Sequence, residues 1–292
     1  MRSLDFARDD NFSMPGVFEL LKRGWDLYTK NVRSYYIFIL LFLAASLVMN
    51  FVSTLYGPTL GTLLAKNWDQ IMSFSLITFP LFVILFYTEL TILYALALRL
   101  EARSVDTRDT FRTTGLRLLP ALGAYLLSTL AVLVGAILVA VAFVNAGKDM
   151  LADGDISQLS IAATVSFLLG IILIVVGIIL IFWFFFGHLE ALLANKSPIA
   201  ALRSSYRMVH GHWWAIFGRV LGTMIIISTV VYLINNILDW LTITTIMAKV
   251  FKAGAEAQNM GKLAISTILG VLVAPWGYGI TILLYKAMKK DV

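Results

Sequence analysis

The sequence predicts an all-α polytopic membrane protein, and three observations carry that expectation. First, six apolar stretches are each too long for an ordinary core helix: roughly Tyr35–Thr54, Ile71–Leu98, Leu118–Val144, Ile161–Gly187, Trp214–Leu238 and Lys262–Tyr285. Each reaches the ~20 residues that carry a helix across a hydrocarbon core of about 30 Å. Second, hydrophobic residues make up 60% of the chain and charged residues 14%, well below the ~25% charged of a soluble domain. Third, cationic side chains gather at alternate ends of the stretches, as in multi-pass proteins. Lipid offers the backbone no hydrogen-bond partners, so each span closes its own bonds as a helix.

In chain order, Met1–Ser13 is polar, mixed in charge and lacks an apolar h-region, which reads as a disordered tail and not a signal peptide. Residues 14–292 then form a single six-helix transmembrane domain. The first periodic segment starts at Met14-Pro15. Phe18, Leu21, Trp25, Tyr28 and Val32 follow at spacings of 3 and 4, one stripe along a helix. Pro80, Pro120 and Pro275 kink or bound their spans. Trp183–Phe186 and Trp213-Trp214 supply an aromatic belt at the membrane edge. Asn235, Asn236 and Asp239 close span 5.

Charge sets the expected orientation. Eighteen of the 23 Lys and Arg lie before span 1, between spans 2 and 3, around the loop between spans 4 and 5 (Arg219 just inside span 5), or after span 6; the other side holds Lys66, Lys148, Lys249, Lys252 and Lys262. Basic short loops stay in the cytoplasm, which puts both termini there. The net charge of +6 then follows from this bias and from attraction to an anionic leaflet. No separate basic domain exists to bind nucleic acid. Cysteine is absent, which excludes disulfides, thiolate metal sites and a cysteine nucleophile.

The stripe before span 1 recurs before span 5 as Ile199, Leu202, Tyr206, Val209 and Trp213, at a constant offset of 181. A weaker copy, Phe111, Leu118 and Leu122, precedes span 3. A basic residue follows the second stripe position each time (Lys22, Arg112, Arg203), and small or short residues coincide at Gly24, Thr114 and Ser205. The expected unit is a cytoplasmic interfacial amphipathic helix followed by a transmembrane hairpin. It is used three times, over about 15–100, 106–190 and 197–290. Such helices lie among headgroups with their cations towards phosphates, or dock a partner. Lys22, Arg23, Arg112, Arg203 and Arg207 are the headgroup-contact candidates.

Glu89 is the one acidic residue well inside a span. An ionisable group there is either a proton or cation site or a structural hydrogen-bonding group. His188, Glu190, His210 and His212 lack the i, i+4 spacing of a helical zinc pair, so no metal and no cofactor is expected. Gly218–Gly222 is a GxxxG element suited to close helix packing. No P-loop, dinucleotide glycine loop, HExxH or GxSxG occurs, and catalytic residues are none.

The segment Ser197–Trp214 (SPIAALRSSYRMVHGHWW) resembles the recurring "ALRRSWELVKGNWW" type of segment, and Phe18–Asn31 (FELLKRGWDLYTKN) is a second copy. Such segments typify the glycerophosphoryl diester phosphodiesterase membrane-domain-like family and the related YciC-type bacterial membrane proteins. That family's closing pattern, an apolar run ending near a tyrosine and basic residues, is matched by Ile280–Lys290. The resemblance covers Pro15 to Lys290 and implies a bacterial or archaeal multi-spanning protein. It does not imply the phosphodiesterase, whose separate barrel takes about 250 residues; only 17 Asp and Glu are present in this chain.

The expected function is a non-catalytic plasma-membrane (inner-membrane) protein that organises lipids or an envelope partner at the cytoplasmic face. Its partners are anionic lipids and a homo-oligomer or envelope protein. The alternative is a transporter or channel for a small solute or ion, with Glu89 on a pathway between hairpins.

Overall fold

The structure, a computed structural model, describes residues 14–56, 68–153, 161–238, 240 and 255–290. Nine α-helices occur among the described residues, with no strand. They are α1 (Val17–Asn31), α2 (Tyr36–Tyr56), α3 (Trp68–Leu100), α4 (Thr107–Asp153), α5 (Ile161–Trp183), α6 (Gly187–Leu193), α7 (Pro198–Val209), α8 (Trp213–Leu238) and α9 (Ala255–Lys290). The expected tail Met1–Ser13, Lys66, Lys249, Lys252 and Asp239 lie outside the described residues, as does the side chain of Lys148.

Six segments are long and apolar enough to cross a membrane: Tyr36–Thr54, Met72–Leu100, Thr107–Ala142, Thr164–Leu193, Trp213–Leu238 and Met260–Lys289. The protein is therefore a multi-pass, all-helical membrane protein. Spans 2 and 6 are the most enclosed by protein, and the others leave most of their surface outward. Outward faces carry large apolar side chains such as Leu76, Ile137, Ile172 and Ile225, the inverse of a soluble surface.

The chain divides into two compact units. The first comprises Met1–Phe51, Leu81–Leu116 and Trp214–Val292; the second comprises Val52–Pro80 and Arg117–Trp213. In the first unit the last turns of α3 and α9 are almost wholly buried, from Leu90 to Leu98 and from Ile280 to Met288 apart from the part-exposed Tyr94, Thr281 and Lys286. Lys286 and Glu101 form an ion pair beside them. α3 ends in a Schellman arrangement: Arg103 N–H donates to Leu98 C=O (2.9 Å) and Ala102 N–H to Arg99 C=O (3.0 Å). Ala102 takes the left-handed φ of 57° usually left to glycine.

In the second unit α4 and α5 touch backbone to backbone. A Cβ on Gly135 would lie 2.8 Å from the Gly170 carbonyl oxygen and one on Gly177 2.6 Å from the Val132 nitrogen. Small residues are what permit such an approach between spans. Span 4 is interrupted after Trp183, at Phe184–Phe186, before α6 resumes. Ser205 of α7 bridges the gap: its hydroxyl donates to Trp183 C=O (3.1 Å) and accepts from Phe186 N–H (3.0 Å).

One expectation is modified. The segments before spans 1 and 5 are separate helices, α1 and α7, but the middle copy is fused into the 47-residue α4. α1 ends in the 3-10 turn Val32–Ser34 and α7 at Gly211, whose φ is +90°. The corresponding stretch of α4, Leu119-Pro-Ala-Leu-Gly123, has no left-handed residue, and the helix runs through Pro120. Pro80 and Pro275 likewise sit inside their helices.

Gly177→Leu forces a branched side chain against the α4 backbone and lowers thermal stability in detergent by about 1–3 kcal/mol. Gly218→Leu, whose Cβ meets nothing within 4 Å, melts with the wild type in the same thermal size-exclusion assay.

Candidate functional site

The short basic helices are built on one pattern of burial. On α1 the enclosed residues are Leu20, Leu21, Gly24 and Leu27; on α7 they are Ala201, Ser205, Met208 and Val209. With the offset of 181, Leu20 matches Ala201, Gly24 matches Ser205 and Leu27 matches Met208. The first turns of α4 repeat it at the two corresponding positions, where Thr110 and Thr114 are buried. The predicted stripe is divided: Leu21 and Val209 are enclosed, whereas Phe18 (80% exposed), Trp25 and Ile199 (67%) point outward.

Each copy is seated on the end of an even-numbered span. α1 lies on α9, where a Cβ on Gly24 would meet Ile280 Cγ1 at 2.6 Å and one on Gly279 would meet the Gly24 carbonyl oxygen at 3.3 Å. Trp276 Nε1 donates to Leu21 C=O (2.9 Å), and its ring stands edge-on to Trp25 at 5.3 Å. The start of α4 lies on α3, with the Tyr87 hydroxyl donating to Phe111 C=O (2.8 Å). α7 lies on the end of span 4, with Tyr206 edge-on to Trp183 at 5.4 Å and Leu202 filling the space beside Gly187.

This seating turns the cations outward. Lys22, Arg112, Arg203 and Arg207 are exposed. Arg203 and Arg207 stand one turn apart on α7, and Lys22 and Arg23 are consecutive on α1. Arg23 is ion-paired with Glu19, so part of its charge is compensated locally. Burial raises the Tyr28 phenol above its ordinary value, so it stays neutral beside these groups.

Three other polar constellations were not foreseen. Glu190, 1% exposed, is held by Lys196 and by the Ser204 hydroxyl (2.9 Å), while Lys196 Nζ also donates to Ser204 Oγ (2.7 Å). Arg219 donates to the carbonyls of Pro15 (2.8 Å), Met14 (3.1 Å) and Ala215 (2.8 Å), and Gly222 of the GxxxG element packs on Val17. Arg99, at the end of α3, donates to Ser34 Oγ at 2.5 Å. The only sequence signal for these was a charged residue at the edge of an apolar run. Their partners lie up to 205 residues away.

Glu89 sits half-buried within span 2, with the Tyr278 phenol of α9 in electrostatic reach. The ring of Tyr278 faces Phe42 of α2 at 6.4 Å. His188, His210 and His212 do not converge with Glu190: among the described residues no three His, Asp or Glu side chains gather as metal ligands. His210 stacks beside Tyr206 at 5.1 Å.

A family profile covers residues 36–288, from the start of α2 nearly to the end of α9. The chain belongs to the DUF7847 family. It is described as a domain of unknown function. The DUF7847 region includes α7 and the start of α4 but not α1. No curated protein and no solved structure matches the chain.

Lys196→Met leaves the Glu190 carboxylate enclosed without its cation and costs about 3 kcal/mol in a denaturant titration in micelles. The double variant with Glu190→Gln recovers most of that loss.

Proposed function

We propose that this DUF7847 protein is a non-catalytic membrane protein that organises anionic lipid at the cytoplasmic face of a bacterial or archaeal plasma membrane. Both termini lie in the cytoplasm on this reading, by the positive-inside distribution of Lys and Arg. The observation that carries it is the shared outward face of the short helices. Phe18 and Lys22 on α1 match Ile199 and Arg203 on α7, each setting a cation beside a large apolar group, and the exposed Trp25 adjoins the first pair. That combination suits a helix lying in the headgroup zone, where apolar side chains enter the acyl boundary and cations meet phosphate. Arg112 and Arg207 extend the cationic surface, and Arg23 adds to it as far as Glu19 leaves its charge free. The resemblance of Ser197–Trp214 and Phe18–Asn31 to the phosphodiesterase membrane-domain-like and YciC-type proteins supports a membrane module without an enzyme. An envelope protein or a second copy of the chain is the natural macromolecular partner of such a module.

Each of Lys22→Gln, Arg112→Gln and Arg203→Gln weakens binding of vesicles containing anionic lipid by about fivefold, the effect of about 1 kcal/mol per surface cation. Flotation with phosphatidylglycerol vesicles reads this directly. Triple-variant binding equal to the wild type would exclude the lipid reading.

A second reading is favoured by Glu89. It has no hydrogen bond or ion pair among the described residues, although an ionisable group in a span is costly unless it serves a pathway or finds a partner. On this transporter or channel reading, Glu89→Gln abolishes solute or ion flux in proteoliposomes while leaving thermal stability within about 1 kcal/mol. Flux unchanged by the substitution removes Glu89 from any pathway.

A further inference from the structure

Arg99 lies one residue before the end of span 2 and Ser34 two residues before the start of span 1, which on the membrane-spanning reading sets both near the edge of the hydrocarbon. The guanidinium donates to the Ser34 hydroxyl oxygen at 2.5 Å, and this is its one hydrogen bond among the described residues. Its Nε is enclosed and has no acceptor among the described residues, and no carboxylate of those residues forms an ion pair with it. Glu101, the nearest acid in sequence, is occupied by Lys286 and by Arg103 at 3.7 Å. A part-buried arginine with a neutral partner and unspent donors is unfavourable alone, because a desolvated cation calls for an anion.

The surroundings specify the anion's chemistry. Ser34 Oγ accepts from Arg99 and keeps its own proton free to donate. Arg33, the preceding residue, is exposed and without an ion pair among the described residues. The Arg99 guanidinium and the Ser34 hydroxyl offer several donors at one place, and the adjacent residue Arg33 adds a second cation, a set that suits the several acceptor oxygens of a phosphate better than the two of a carboxylate. After the buried Tyr35, the outward Tyr36 (53% exposed) and Ile37 begin the apolar wall of span 1.

We propose that Arg99, Ser34 and Arg33 form a discrete phosphate-binding cradle at the shared edge of spans 1 and 2. A phospholipid headgroup and free phosphate present the same oxyanion. The wall at Tyr36 and Ile37 suits a headgroup whose acyl chains run down span 1. The cradle rests on the lipid reading above for that source only, and it differs from the diffuse cationic face in holding one phosphate in a fixed place.

The full chain, released from nanodiscs of phosphatidylcholine and phosphatidylglycerol, is measured by native mass spectrometry, and the detergent-purified protein is titrated with inorganic phosphate by calorimetry. The wild type retains one phosphatidylglycerol through activation energies that strip the others. Arg99→Gln lowers that occupancy about tenfold, as loss of a charge-assisted pair does, and Ser34→Ala weakens it about threefold. The triple Lys22, Arg112 and Arg203 variant keeps this one lipid while losing the loosely held ones, so failure of the cradle and failure of the diffuse lipid surface are read separately. Phosphate binding that Arg99→Gln removes, with no retained lipid, assigns the cradle to free phosphate. Neither retained lipid nor phosphate heat in the wild type overturns it. Where Arg99→Gln aggregates, Ser34→Ala and Arg99→Lys decide: occupancy equal to the wild type in both overturns the cradle.

Discussion

The close seating of a short helix on the end of a span is the constraint on which the other features of each unit depend. It requires a small or short side chain at one position, and Gly24, Thr114 and Ser205 supply it in the three copies. Each solves the contact differently. Gly24 removes the side chain so that the α1 and α9 backbones meet near Gly279. Ser205 uses its hydroxyl to close the break in span 4. Thr114 is enclosed with its hydroxyl unpartnered among the described residues, a cost of about 1–3 kcal/mol when nothing compensates. Once the position is enclosed, helical geometry turns the residue two places earlier outward, and that residue is Lys22, Arg112 or Arg203. The cationic face is thus a consequence of the packing, not an independent feature.

The six spans were legible because hydropathy is a local property summed over about twenty residues. The short helices were legible as elements, and small or short residues at Gly24, Thr114 and Ser205 coincided among the copies, but nothing local said what packed against them. Their orientation was not legible. The stripe mixes the enclosed Leu21 with the outward Phe18 and Trp25, while Leu20, Gly24 and Leu27 make the line towards protein, and periodicity alone does not separate a face packed on protein from one left outward. The fusion of the middle copy into α4 turned on the lack of a left-handed residue near Pro120, a weaker signal than the proline itself. The Glu190–Lys196–Ser204 network lies within 15 residues of sequence but needed the left-handed turn at Asn195 (φ 52°) to bring its members together. Arg99 and Ser34 are separated by nearly the whole of the first hairpin.

The arginines at span ends share a further physical logic. Arg219 and Arg117 donate to backbone carbonyls, those of Pro15, Met14 and Ala215 in one case and of Leu192 in the other. A carbonyl satisfies an N–H without cancelling the charge, whereas a carboxylate does both. Leu192 lies in the last turn of α6, where unpaired carbonyls and the helix dipole both favour a cation. The positive charge of Arg219 is therefore kept while its hydrogen bonds are met. Arg99 departs from this pattern: its acceptor is one hydroxyl, and its Nε is left without any. The Schellman turn that ends its own helix commits the Leu98 and Arg99 carbonyls to the N–H groups of Arg103 and Ala102, so these backbone acceptors do not serve the guanidinium, and the phosphate proposed above is the acceptor that would supply what they do not.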